Sequence, residues 1–116
     1  MSRQRAEKSG REGETRAALW LRAKGWQVLD RRVKTPAGEI DLIVKRGGVV
    51  TFVEVKWRRK RADLDHAVDE YRLSRVAAAV EAVAHRYARE GEDIRIDVIL
   101  LAPGSFPRHI ANAWQP

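Results

Sequence analysis

A chain of 116 residues with 44% hydrophobic content can bury one ordinary core and is too short for two, so a single compact domain is expected. Its 23 Lys and Arg against 16 Asp and Glu leave a net charge of +7, which attracts polyanions, nucleic acid first among them. With no cysteine, thiolate catalysis, disulfides and Cys-based zinc sites are excluded, and His66, His85 and His109 show no zinc spacing, so any metal must be held mainly by oxygen.

No apolar run approaches the roughly 20 residues needed to span a bilayer. The start, MSRQRAEKSG, lacks the apolar segment of a secretory signal, so a cytoplasmic protein that does not enter a membrane is expected. Residues 1–12 are polar and basic, with Gly10 and Gly13 as local breakers, and read as a flexible start before a domain at 13–116. From Glu14 to Lys24, Ala17, Ala18 and Leu21 recur at helical spacing and Gly25 can end the helix in a left-handed conformation. Trp26 to Lys34 reads as a first strand, closed by the turn residues TPAG at 35–38. Glu39–Arg46 and Val49–Trp57 read as two more strands joined by Gly47-Gly48, a pair suited to a tight two-residue hairpin loop.

From about Ala67 to Arg89 there is no Pro or Gly, and Val76, Val80, Val83 and Tyr87 form a helical stripe. Ile94–Ala102 reads as a largely buried strand, and HIANAW at 109–114 as a short edge strand. A strand, a long helix and a further strand normally place the two strands parallel, so the class is α/β, a mixed sheet with helices packed against it.

If Gly47 and Gly48 form the loop, Asp41 faces Glu54, Glu39 faces Lys56, and all four share one face of the sheet. Two carboxylates ~5 Å apart repel by about 3 kcal/mol at an effective dielectric near 20, and by about 1 kcal/mol in bulk water. A Mg²⁺ or Mn²⁺ ion between Asp41 and Glu54 would offset this, with Lys56 placed to assist a water and to stabilise charge on a phosphate. The competing reading is a solvated face in which Glu39 and Lys56 form an ordinary ion pair.

Asp41 followed by Glu54-Val55-Lys56 resembles the signature of the PD-(D/E)XK nuclease superfamily, the restriction-endonuclease-like fold. GREGE at 10–14, GEIDLI at 38–43, FVEVK at 52–56 and HIANAW at 109–114 resemble, in order, the small bacterial proteins of the YraN-like family. The resemblance implies an αβββαβ core, metal ligation by Asp41 and Glu54, and a catalytic role for Lys56. It further implies that an acid on the first helix, here Glu14, completes the site, and that Glu39 is an auxiliary ligand. Glu14 is equally readable as a first-turn acid complementing the helix dipole. Ile40 stands where the superfamily's name has proline, which removes no ligand. The activity implied is metal-dependent hydrolysis of DNA phosphodiester bonds, with branched or structured DNA as one substrate class and a homodimer compatible with two-strand cleavage. The alternative is a nucleic-acid-binding module of the same fold without turnover.

Lys56 to Arg61 carries five positive charges in six residues. Arg58, Arg59, Lys60 and Arg61 are therefore the main phosphate-contact candidates, followed by Arg72, Arg75 and Arg11. Trp57 reads as packing against the core or under this basic segment, with stacking on an unpaired base as the alternative. Trp20, Trp26 and Trp114 read as core or edge packing.

Overall fold

Gly47, at φ 59°, lets the chain reverse between two apolar strands, and the pairing that follows is the one a two-residue loop dictates. Arg46 faces Val49, and the ladder runs without slip to Leu42 opposite Val53. In the computed structural model, which describes residues 3–59 and 69–114 and only the backbone of 3–10, the elements follow as α1 (Arg3–Ala23), β1 (Gln27–Thr35), β2 (Gly38–Arg46), β3 (Val49–Trp57), α2 (Glu70–Val83), β4 (Asp93–Leu101) and β5 (Arg108–Ile110). The five strands form one sheet in sequence order, antiparallel except where β3 and β4 run parallel. The α/β class and the mixed sheet are as expected, and α2 is the crossover between the parallel pair.

Alternation along the strands sorts the core into two layers. Ile43, Phe52, Val98 and Leu100 pack with Leu73, Val76, Ala79, Val80 and Val83 of α2. Leu42, Val44, Val53, Ile99 and Leu101 pack with Ala17, Ala18 and Leu21 of α1, and Trp26 closes that layer. Burying each such side chain contributes about 1.5–3 kcal/mol, so strands buried on both faces are held by both helices.

Two helix boundaries differ from the sequence reading. The first helix begins at Arg3, not Glu14, so the stretch read as flexible is helical from Arg3 and both glycines lie within it. Gly13 is buried, and a Cβ there would meet Val55, Trp57 and Leu101 at 3.7 Å. That is ordinary van der Waals distance, so a side-chain carbon would fit there, and the packing of α1 on the sheet outweighs the glycine's propensity cost of about 1 kcal/mol. The second helix ends at Val83 and tightens into a 3-10 turn at Ala84–Arg86. Tyr87, read as part of its stripe, instead packs edge-on to Phe52 and donates its hydroxyl to Asp30 of β1 at 2.6 Å. At the other end Asp69 caps the helix, accepting from the Tyr71 amide at 2.8 Å.

β5 is held by a group the sequence reading missed. Asp97, fully buried on β4, accepts two bonds from Arg95 at 2.9 and 2.8 Å and one from the Asn112 amide at 2.9 Å, and lies 2.6 Å from His109 Nε2. Burial pushes this carboxyl up, but the bonds from His109, Arg95 and Asn112 outweigh it and hold it below the usual range. Asn112 adopts φ 51°, which asparagine tolerates, and Ala113 donates back to the Ile96 carbonyl at 2.7 Å. The HIANAW segment is thus a clasp on β4, and His109 is part of it.

Asp97→Asn leaves Arg95 without its anion, and a loss of about 2–3 kcal/mol is expected in urea unfolding at pH 7. Because the folded carboxyl lies below its unfolded value, its contribution is present above the unfolded pKa and lost as pH falls through the folded one. The difference between wild type and variant should therefore narrow below about pH 4.

Candidate active site

The β2–β3 ladder stops at Leu42 and Val53. In every observed pair the residue numbers sum to 95, so the Val55 amide would next meet Ile40. Instead it donates to Asp41 Oδ2 at 2.8 Å, and a side chain replaces the ladder bond. Alternation also breaks at this point, since Ile40 packs on the α2 side and Leu42 on the α1 side. The neighbouring strand carries the matching irregularity. Between the pairs Arg31–Leu42 and Val33–Ile40, Arg32 takes φ 50°, a left-handed conformation costing of order 1 kcal/mol for a residue with a side chain.

The consequence corrects the expected geometry of four polar groups on one face. Asp41 opens into a cavity of about 380 Å³ lined by Arg11, Glu14, Arg32, Lys34, Glu39 and Val55. Glu54 and Lys56 line a neighbouring cavity of about 260 Å³ with Glu39, Arg72 and Arg75. Glu39 borders both, and the expected Glu39–Lys56 pair is replaced by Lys56 Nζ to Glu54 Oε1 at 2.6 Å.

Glu14 is brought to Asp41 by α1. It shares a helix face with Ala17, Ala18 and Leu21, all in the core, and is itself only 7% exposed. The first-turn reading of Glu14 falls away, because the helix begins at Arg3. Arg32 Nε donates to both Glu14 oxygens, at 2.9 and 3.2 Å. Arg32 was missed in sequence, since nothing in the pattern of β1 marks its backbone conformation.

The two cavities are one electrostatic neighbourhood. Burial pushes the Asp41 carboxyl up to about 7 against the opposing bond from Val55, the charges of Glu14 and Glu54 add to the rise, and Lys56 offsets part of it. Glu14 and Glu54 each have a cation at hydrogen-bond distance, whereas among the described residues Asp41 has an amide alone. Among the described residues no three carboxylate or imidazole groups converge as a ready ligand set. The donors nonetheless suit a hard dication in kind, being oxygen only, with the partly buried Asp41 carboxyl flanked by two others that a positive ion would relieve.

Of the phosphate-contact candidates, Arg72 and Arg75 line the cavity of Glu54 and Lys56, and Arg11 lines that of Asp41. Arg58 is tied back, its amide to Leu101 and its guanidinium to the Trp57 carbonyl, both at 2.9 Å, while Arg59 is exposed. Lys60 and Arg61 lie outside the described residues, as does His66.

Residues 13–101 match the profile of a family described as "Uncharacterised protein family UPF0102". The chain is 78% identical over 116 residues, the full length of both, to a UPF0102 protein of Erythrobacter litoralis. It is 56% identical, again over both full lengths, to one of Sphingopyxis alaskensis. With one of Caulobacter vibrioides it shares 46% identity over 110 residues, 94% of this chain and 88% of that one.

Between pH 3.8 and about 7 the folded protein holds a proton on Asp41 that the unfolded chain has released. The contribution of Asp41 to stability therefore falls as pH rises through that window. Asp41→Asn keeps an acceptor for Val55 and removes the charge, so it should stabilise by about 1–2 kcal/mol at pH 8 and by little at pH 4, as read by urea unfolding at both values.

Proposed function

The chain belongs to UPF0102, an uncharacterised protein family corresponding to the YraN-like proteins of the sequence reading, and we propose that it is a metal-dependent DNA endonuclease with a PD-(D/E)XK-type site. The observation that carries this is Asp41, partly buried at the point where β2 and β3 part, under the combined charge of Glu14, Glu54 and Lys56. A structural carboxylate gains nothing from two acidic neighbours, whereas acidic oxygens around a shared opening suit Mg²⁺ or Mn²⁺.

Asp41, Glu54 and Glu14 would hold the ion, with Glu39 at the border of both cavities as an auxiliary ligand. When bound, such an ion lowers the pKa of water and neutralises charge on a phosphate. The chain's own groups supply the rest. Lys56, poised on Glu54, orients the attacking water and stabilises charge on the phosphate oxygens. Arg72 and Arg75 on one side and Arg11 on the other hold the flanking phosphates, fixing the backbone across the fork. Arg32 keeps Glu14 directed toward the cavity.

A binding module without turnover is the second reading. It is favoured by the ion pairs of Glu54 with Lys56 and Glu14 with Arg32, which already satisfy two of the three acids.

The test is incubation with duplex, forked and four-way-junction DNA in Mg²⁺ or Mn²⁺. Cleavage that falls by about 100-fold or more in Asp41→Ala and in Lys56→Ala, while DNA binding persists, is the expected result. Binding with no metal-dependent cleavage of any substrate would overturn the nuclease in favour of the module.

A further inference from the structure

Beside the carboxylate cavity lies a second and larger opening, of about 650 Å³, bordered by Arg11, Glu12, Arg16, Trp57 and Pro103. Its volume is in the range of small-ligand sites. Trp57 ends β3, one position beyond Lys56, and is only half-buried, its inner part resting on the α1-side core. Gly13 passes over it without a side chain. Arg11 and Arg16, both exposed, come from the same stretch of α1. Arg11 also borders the cavity of Asp41, so the two openings adjoin through one guanidinium. The loop that supplies Pro103 carries Phe106, which is 94% exposed.

We propose that this cleft receives an unpaired nucleotide of DNA, its base stacked on Trp57 and its phosphate held by Arg11 and Arg16, so that the preferred substrate has a boundary between duplex and single strand. An aromatic face flanked by guanidiniums is the arrangement that binds single strands without regard to sequence. A base inside a duplex is covered on both faces by its neighbours and cannot lie against the indole. The net charge of +7 favours a polyanion as the occupant over a peptide or a neutral metabolite. Placing that nucleotide next to the scissile phosphate rests on the nuclease reading. The stacking itself does not.

The test is therefore a binding measurement without turnover. Fluorescence anisotropy in EDTA compares a blunt duplex with a duplex bearing a single-stranded overhang, matched in total phosphates, and an overhang carrying 5-iodouracil is irradiated to map its cross-link. The wild type should bind the overhang substrate ~10-fold more tightly, Trp57→Phe should keep most of that preference, and Trp57→Ala should lose it. The cross-link should fall on the peptide containing Trp57. Equal affinity for the two DNAs in the wild type, or a cross-link confined to other peptides, overturns the proposal, and does so even if the duplex is cleaved in Mg²⁺. A cross-link at Trp57 with overhang preference upholds it even where no DNA is cut, and in that case the nuclease reading alone fails. Should Trp57→Ala not fold, the wild-type comparison and the cross-link decide.

Discussion

The hydrogen bond from the Val55 amide to Asp41 is the constraint on which the site depends. A ladder bond between β2 and β3 would keep the strands together and leave no space between them. Giving that amide to a side chain lets the strands part while the donor stays satisfied, which a buried N–H requires. The same bond fixes Asp41 at the opening, where α1 brings Glu14 and β3 brings Glu54 and Lys56. Rigid elements therefore place every charged group of the site, and none of these four depends on a long loop.

The charge arrangement is lopsided. Among the described residues two carboxylates have cations and Asp41 does not, so the electrostatic cost concentrates on the group at the apex of the fork. Arg32 and Lys56 act as counterions to Glu14 and Glu54, and under the nuclease proposal each would yield part of its grip when its acid turned to a metal. The strain of Arg32 in a left-handed conformation belongs to the same economy, since regular β1 backbone would direct its side chain elsewhere.

How far the sequence discloses this can be followed residue by residue. The hairpin was legible because Gly47-Gly48 sets the loop and the two-residue period sets the faces, and both hold from Arg46 to Leu42. One step further the period fails, and Asp41 and Glu54, expected side by side on one face, line neighbouring cavities that meet at Glu39. A pattern rule assumes a continuing ladder, and the fork exists because the ladder ends. Glu14 was legible from its helical neighbours Ala17, Ala18 and Leu21. The start of its helix was not, because Gly10 and Gly13 read as breakers where packing of the helix on the sheet overrides their low propensity. Arg32 and the Asp97 clasp left no signal, the first being a backbone conformation and the second a meeting of residues 95, 97, 109 and 112 that only the completed sheet brings about. The tryptophans were read correctly in kind: Trp26 is buried, and Trp20 and Trp114 are partly so.

The Asp97 clasp also bears on the order of assembly. A buried anion is costly without partners, and two of those of Asp97, His109 and the Asn112 amide, come from the segment that follows β4. The segment around β5 thus works as a latch on the central strands, its docking and the burial of the Asp97 charge each depending on the other.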